Sequence, residues 1–185
     1  MITQDDIDTF KEYNEQDNQQ EEVNNGTFFS TKTYGHNIGL SAVFRQPHAD
    51  SHCRFLHGYS LQFKFVFGAS ELDHKNWAVD FGGLKPLKAW LEDHFDHKTI
   101  IDINDPHLED FKNLQKLGLA ELTIFDGVGA EMFAYHAWNF ADKLIREATN
   151  NRCWCESAEC AEHGANSAIF TPTSQQHTKR SIHGI

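Results

Sequence analysis

The chain has 185 residues with a formal net charge of −11, and 39% of its residues are hydrophobic, including fifteen Phe. This length and composition predict one domain with a full core. The acidic excess disfavours nonspecific binding to nucleic acid or to an anionic membrane. No apolar run approaches a membrane span, and four cysteines expected to be reduced, without a signal peptide, are typical of a cytoplasmic protein.

Both ends of the chain are polar. Residues 1–26 form an acidic extension, with weak helical spacing between Asp5 and Tyr13. Residues 172–185 form a polar tail, and such ends are commonly poorly ordered. We therefore expect the folded domain to span residues 27–171.

Two long strands are predicted at the start of this domain. Thr27–Phe44 is rich in Thr, Phe and Tyr, and glycines at 35 and 39 indicate a bulge or a sharp twist. Residues 57–69 alternate between apolar and polar side chains, which is typical of a half-buried strand. The intervening loop is short enough for the two strands to form an antiparallel hairpin.

Helices and strands alternate in the rest of the domain. Helical spacing and end signals give three helices, and β-prone runs between turn residues give four more strands. In chain order these elements are a short strand Trp77–Phe81, a helix from Leu84 to Phe95, a helix Pro106–Leu117, a strand Leu119–Phe125, a helix Glu131–Ala148, and paired strands Arg152–Ser157 and Asn166–Thr171 around a loop 158–165. The predicted class is α+β, an antiparallel sheet with helices packed on one face.

The loop 45–56 and the start of the next strand carry a dense cluster of reactive side chains. The cluster contains His48, His52, Cys53 and His57. Such density suits a metal site or an activated thiol, since cationic neighbours favour the nucleophilic thiolate. The alternative is a plain thiol among incidental surface histidines.

Two further groups suggest chemistry. Asp96 and His97 stand together at a predicted helix end, where a carboxylate can orient an imidazole for proton transfer. Glu156 shares a predicted strand face with Trp154, and a carboxylate there could accept two hydrogen bonds from a heterocyclic ring. The alternatives are a helix cap with a solvated histidine, and a surface strand residue.

A separate zinc-type arrangement occurs near the C-terminus. Cys153, Cys155, Cys160 and His163 provide four potential ligands within eleven residues. Structural zinc sites usually use a C-x2-C or wider spacing, so this C-x-C arrangement is a minority interpretation.

These motifs together resemble those of the 6-pyruvoyl-tetrahydropterin synthase and 6-carboxy-tetrahydropterin synthase family. The resemblance covers roughly Lys32 to Phe170 and rests on ordered motifs. In chain order, C-R-F-L-H-G-Y at Cys53–Tyr59 resembles C-x3-H-G-H, V-D-F-G-G-L-K at Val79–Lys85 resembles D-F-x-x-L-K, F-D-H at Phe95–His97 resembles L-D-H, A-E-M-F-A at Ala130–Ala134 resembles the end of P-T-x-E-N-L-A, and the segments at Trp154–Ser157 and Asn166–Phe170 resemble the closing E-T and A-x-Y strands.

The resemblance implies a tunnelling fold (T-fold) and a carbon–oxygen lyase acting on dihydroneopterin triphosphate. Family members eliminate triphosphate and convert the side chain, in pterin synthesis or towards queuosine and related deazapurines. By position, Cys53 would be the proton-abstracting thiolate and Asp96 and His97 its acid/base partners. Glu156 and Glu131 would bind the substrate. Family enzymes are homohexamers of two stacked trimers that share sites between subunits.

The family's zinc ligands are only partly present. Of its three histidine positions, His57 matches, whereas Phe44 and Tyr59 occupy the other two. Catalytic zinc typically needs about three protein ligands. Either His48 and His52 substitute, or the site holds metal weakly or not at all. Gly129 also replaces the family's threonine.

Three hypotheses follow from the sequence. The first is an active lyase with a remodelled metal site. The second is a divergent paralogue that binds a pterin or purine-like ring without the family's reaction, with or without metal. The third is a zinc-stabilised interaction module using the C-terminal cysteines.

Overall fold

The computed structural model describes residues 26–173. The predicted acidic extension, apart from Gly26, and the tail beyond Thr173 lie outside the described residues, as does the helical spacing at Asp5–Tyr13. Within the described part of the chain, no helix has both the length and the apolar character needed to cross a membrane.

Within residues 26–173, seven strands form the sheet and three α-helices accompany it. The strands are β1 Phe28–Tyr34, β2 Leu40–Phe44, β3 His57–Ala69, β4 Lys98–Asp102, β5 Leu122–Phe125, β6 Cys153–His163 and β7 Asn166–Phe170. The helices are α1 Lys85–Phe95, α2 Leu108–Lys116 and α3 Ala130–Ala148, with 3-10 turns at His36–Ile38, His52–Arg54 and Phe81–Leu84. The strand order is β5-β4-β2-β3-β6-β7, and β1 pairs with β3.

The central strand β3 provides the core face of the sheet. Its predicted alternation is confirmed: Leu61, Phe63, Phe65 and Phe67 are fully buried, whereas Lys64 between them is exposed. Helices α1 and α3 cover this face, since Phe95 of α1 lies 4.7 Å from Phe63 between ring centroids. The predicted α+β class is therefore confirmed, with both long helices on one face of the sheet.

The first predicted strand is interrupted where its two glycines lie. Tyr34 pairs with Phe63 and Leu40 pairs with Leu61, so residues 35–39 loop out opposite a single residue of β3, Gln62. Gly39 has a φ of 85°, a left-handed conformation that glycine adopts without strain. The predicted irregularity is present, but the prediction of one continuous strand at Thr27–Phe44 is wrong.

Three other element predictions are wrong. Trp77–Phe81 is a turn rather than a strand, because the Asp73 side chain accepts hydrogen bonds from Lys75 N and Trp77 N and the chain then enters a 3-10 turn. The predicted loop 158–165 belongs mostly to β6, which continues to His163 and pairs with β7. Strand β5 also begins later than predicted, at Leu122.

Strand β4 was not predicted and changes the character of the sheet. It pairs in parallel with β2 and with β5, so the sheet is mixed rather than wholly antiparallel. Its five residues are short, and Ile100 and Ile101 are both fully buried, so no alternation marks it as a strand.

Candidate functional site

The loop 45–56 is closed by its own backbone hydrogen bonds. Gln46 N donates to Cys53 O at 2.9 Å, and Arg54 N donates to Ser51 O at 3.2 Å. The Ser51 hydroxyl also accepts from Cys53 N at 3.4 Å. This network holds Cys53 half-buried just before β3 begins.

A buried ion pair joins the same loop to the segment after β4. The Arg45 guanidinium donates to the two carboxylate oxygens of Asp105 at 2.8 and 3.1 Å and to Arg54 O at 3.3 Å. Burial raises the pKa of the Asp105 carboxyl, but hydrogen bonds from Arg45 and from His107 N, together with the Arg45 charge, bring it below its ordinary value of 3.8. Arg45 therefore couples the base of the Cys53 loop to the core.

Cys53 opens onto a small pocket of about 170 Å³. Two of the residues predicted from the sequence, His57 and Glu131, line it together with Cys53. The β6–β7 hairpin contributes Glu162 and Asn166 to the opposite wall. The pocket is smaller than the roughly 300–1,000 Å³ of typical ligand sites, and its residues come from β3, the N-terminus of α3 and the hairpin.

Gln46 completes the wall at the start of α3. Its side-chain amide donates to Val128 O at 2.7 Å and occupies the space beside Gly129. Gly129 has a φ of 106°, and a Cβ added there would collide with the Gln46 amide nitrogen. At the position where the sequence resemblance expects a threonine, this chain has Gly129 with the Gln46 side chain packed against it.

The residues at the three positions that the sequence resemblance assigns to zinc ligands form an aromatic cluster. Ring centroids are separated by 4.8 Å between Phe44 and His57, 5.8 Å between His57 and Tyr59, and 6.1 Å between Phe44 and Tyr59. The His57 Nδ1 bonds Phe55 O at 2.8 Å, which leaves Nε2 as its remaining ligating atom. One imidazole, a phenyl ring and a phenol do not fit a catalytic zinc ion, which takes its protein ligands from Cys, His, Asp and Glu.

The two histidines expected as possible substitutes lie elsewhere. His48 and His52 are exposed and lie outside the Cys53 pocket. Among residues 26–173, no group of three or more His, Cys, Asp or Glu side chains is arranged to hold a metal ion.

Sequence reasoning missed Glu162 and Gln46. Burial, and then the charges of Glu162 and Cys53, raise the pKa of the Tyr59 phenol, so Glu162 is electrostatically coupled to the aromatic cluster. Glu162 could not be placed because β6 was predicted to end at Ser157. The continued apolar positions at Ala158, Cys160 and Ala161 were the available signal.

Asp96 and His97 lie outside the Cys53 pocket of their own chain. They follow α1, where His97 has a φ of 56° and its side chain is 83% exposed. Asp96 accepts a hydrogen bond from His97 Nδ1 at 2.7 Å, which leaves Nε2 directed away from the carboxylate. This geometry is that of an oriented imidazole displayed on the surface.

Glu156 occupies a β-bulge in β6. Cys155 is in register with Phe67 and Ser157 with the adjacent Val66, so Glu156 is the extra residue of the bulged strand. Trp154 Nε1 donates to Glu156 Oε2 at 2.7 Å, and the indole lies so close to Gly68 that an added Cβ would be 2.6 Å from it. Bulges often re-aim side chains beside functional sites. Glu156 also lies outside the Cys53 pocket of its own chain.

The C-terminal cysteines do not assemble into the alternative zinc site. Cys153, Cys155 and Cys160 are buried along β6, and at roughly 3.3 Å per strand residue the first and last are about 20 Å apart. Burial raises the pKa of the Cys153 thiol to about 11, and burial also raises the pKa values of Cys155 and Cys160.

Comparison with solved structures identifies the class of fold. The chain superposes on an uncharacterized protein of Wolinella succinogenes with a TM-score of 0.67 at 18% identity, covering 80% of this chain and 99% of that one. It superposes on the 6-pyruvoyl tetrahydropterin synthase of Plasmodium falciparum with a TM-score of 0.59 at 12% identity, covering 80% and 99%. The protein has the T-fold.

Sequence comparison then gives the family. Residues 36–173 match the profile of 6-pyruvoyl tetrahydropterin synthase, and the chain belongs to that family. A relative, the 6-carboxy-5,6,7,8-tetrahydropterin synthase of Aquifex aeolicus, is 29% identical over 112 residues, which are 60% of this chain and 69% of the relative. These comparisons support a tetrahydropterin synthase-like function.

Replacing Gly129 tests how tightly the start of α3 is packed. Gly129→Ala should lower the free energy of unfolding by about 2–4 kcal/mol, because it adds a collision with Gln46 to backbone strain. Gly118→Ala is the matched control: its φ is also positive, at 71°, but nothing lies within 4 Å of the added Cβ. Its expected cost is about 1 kcal/mol.

Urea unfolding of the two variants, together with Gln46→Ala/Gly129→Ala, measures this difference. Removing Gln46 should recover the collision part of the cost, which makes the two substitutions non-additive. Equal costs at Gly129 and Gly118 would show that Gln46 does not occupy the space described.

Removing Arg45 tests the ion pair beneath the loop. Arg45→Ala should lower the free energy of unfolding by about 3 kcal/mol near neutral pH, because it leaves the Asp105 carboxylate buried without its partner. The control Lys88→Ala breaks an exposed pair with Glu92 and should cost less than about 1 kcal/mol.

The Arg45 effect should also depend on pH. Because the folded-state pKa of Asp105 is depressed, its stabilisation is complete above the ordinary value of 3.8 and is lost as the pH falls through the lower folded value. The difference between wild type and Arg45→Ala in chemical denaturation should therefore shrink in acid. A difference that stays constant as the pH falls below the ordinary carboxyl range contradicts this assignment.

Proposed function

We propose that this chain is a 6-carboxy-tetrahydropterin synthase-like lyase acting on dihydroneopterin triphosphate. The observation that carries the proposal is the pocket in which the half-buried Cys53 meets His57 and Glu131. Family membership and the Aquifex aeolicus relative support the reaction class. The products would enter queuosine or related deazapurine synthesis, or a pterin pathway, in the cytoplasm.

In this proposal Cys53 acts as the base. Its thiolate takes a proton from the substrate side chain, and the triphosphate leaves with the electron pair of its carbon–oxygen bond. The loop hydrogen bonds fix the sulfur at the pocket wall, so the base is positioned before substrate binds. No step passes through a metal, because the residues at the family's metal position do not fit one.

The acid/base partner of Cys53 would come from another subunit. His97 is displayed on the surface with its Nδ1 bonded to Asp96, so its Nε2 could enter a neighbour's pocket and return a proton there. The small volume of the pocket in one chain agrees with a site completed on assembly. We propose the family's hexamer of two stacked trimers as that assembly.

Glu156 would hold the pterin ring. Its carboxylate is fixed by Trp154 and could accept two N–H donors from the ring edge, an arrangement stronger than neutral hydrogen bonding. Since Glu156 also lies away from the Cys53 pocket within one chain, this role again relies on the assembled site.

A second candidate function is a pterin or purine-like ring-binding protein without the lyase reaction. A catalytic metal can polarise the oxygens of a substrate. Because Phe44 and Tyr59 stand at two of the expected zinc-ligand positions, the chain would lack that contribution to the lyase reaction, which favours this second candidate. The third hypothesis, a zinc-stabilised module, gains no support from the separated cysteines of β6.

Incubation with dihydroneopterin triphosphate, followed by mass spectrometry with and without added zinc, separates these candidates. Conversion of the substrate supports the lyase. Binding by calorimetry without conversion supports the ring-binding protein. If the protein neither binds nor converts the substrate, both candidate functions are rejected.

Substituting Glu156 tests ring recognition. Glu156→Gln should weaken neopterin binding by about 10–100-fold, because the amide replaces a charged double acceptor. Glu159→Gln removes the same charge three residues further along β6 and should leave the affinity within about twofold. Equal losses in calorimetric titrations of both variants would mean that strand charge, rather than ring contact, governs binding.

Co-expression of two inactive variants tests sharing of the site. Cys53→Ala and His97→Ala should each abolish turnover. Chains carrying one change each, mixed at random in one oligomer, should restore about a quarter of wild-type activity, because a quarter of shared sites receive an intact Cys53 and an intact His97. No restoration in doubly tagged, co-purified oligomers would place both groups in one chain's site or outside it.

A further inference from the structure

The aromatic cluster at the family's metal position is a packed part of the core. Phe44 is 1% exposed, and its ring meets Phe133 of α3 edge-on at 5.0 Å between centroids. Phe44 pairs with His57, and Ala42 with Tyr59, across the β2–β3 hairpin. The separations within the cluster lie in the 4.5–7 Å range of favourable aromatic pairs, so these rings support one another.

At this position the structure has too few metal-binding side chains, and no neighbouring residue in the described part of the chain replaces the missing ones. His57 retains a hydrogen bond that is typical of a metal-ligating histidine, since its Nδ1 bonds the Phe55 carbonyl. Phe44 offers no ligating atom, and its buried ring fills space near His57. The pocket's other potential donors, Cys53, Glu131 and Glu162, belong to no metal-holding group among the residues that the structure describes.

We propose that Phe44, His57 and Tyr59 form a metal-free aromatic cluster beside the Cys53 pocket, which Phe44 and His57 line, and that the chain binds its ligand in this pocket without zinc. The part concerning a ligand rests on the proposed function; the part concerning zinc stands on the three side chains alone. Phe44 and His57 line the pocket, and aromatic side chains in a pocket wall suit an aromatic heterocycle.

Zinc content after purification from zinc-supplemented medium tests the proposal directly. Wild type, dialysed without chelator and measured by inductively coupled plasma mass spectrometry, should contain far less than one zinc per chain. His57→Ala should not change that content. Near-stoichiometric zinc in wild type that is lost on His57→Ala overturns the proposal.

A variant with added zinc ligands tests the converse, that restoring histidines at these positions restores zinc binding. Phe44→His/Tyr59→His restores three imidazoles and should acquire about one zinc per chain, because three histidines are a sufficient ligand set for catalytic zinc. Adding His57→Ala to it should remove that zinc. The matched control Phe44→Leu/Tyr59→Phe disturbs the same positions without adding ligands and should bind none.

Folding and ligand binding are followed in the same samples. Circular dichroism shows whether each variant folds. If the Phe44→His/Tyr59→His variant does not fold, the zinc contents of wild type and His57→Ala still test the proposal. Neopterin affinity of wild type should be unchanged by a chelator, and a loss with EDTA that zinc restores overturns the proposal. Absence of both neopterin binding and zinc rejects the proposed function while leaving the metal-free position established.

Discussion

The register of the β2–β3 hairpin is the constraint on which the site depends. Phe44 pairs with His57, so both ends of the loop 45–56 are fixed at the same place on the sheet. The burial of Leu61, Phe63 and Phe65 fixes that register, because a slip by one residue would turn these side chains to the solvent face. The position of Cys53 is therefore set by the core rather than by the loop alone.

The same alternation explains how a metal position can become an aromatic one. Side chains at Phe44, His57 and Tyr59 lie on one face at the end of the hairpin, close enough to share an ion or to pack as rings. With two of the three lacking imidazoles, the favourable arrangement is packing against Phe133. The fold thus accommodates Phe44 and Tyr59 at these positions while keeping the thiol, the loop and the helix N-terminus in place.

Local patterns predicted the elements that carry their own signal. The strict alternation of β3 and the apolar face of α1 gave both elements, and the glycines at 35 and 39 located the interruption between β1 and β2. Strand β4 was missed because Ile100 and Ile101 are both buried in a five-residue run. The length of β6 was missed because its continuation carries only a weak local signal, the apolar positions Ala158, Cys160 and Ala161, whereas its pairing with β3 and β7 is a tertiary contact.

The site shows the same division. Cys53, His57 and Glu131 were named from motifs, and the structure brings them into one pocket. Placing Glu162 and Gln46 in the pocket required the tertiary fold. The position of Glu162 depends on the length of the β6–β7 hairpin, and that of Gln46 depends on Gly129, far along the chain. The bulge at Glu156 depends on the register between β6 and β3. In the proposed assembly, Asp96 and His97 reach the thiol of a neighbouring subunit, a contact that local sequence patterns do not specify.

A crystal structure of the assembled protein with neopterin, grown in the presence of zinc, tests the central claim most directly. The account predicts the ligand side chain within hydrogen-bonding distance of the Cys53 sulfur, beside Phe44 and His57, with no anomalous zinc signal at His57 Nε2. A ligand remote from Cys53, or a zinc ion coordinated by His57, would contradict it.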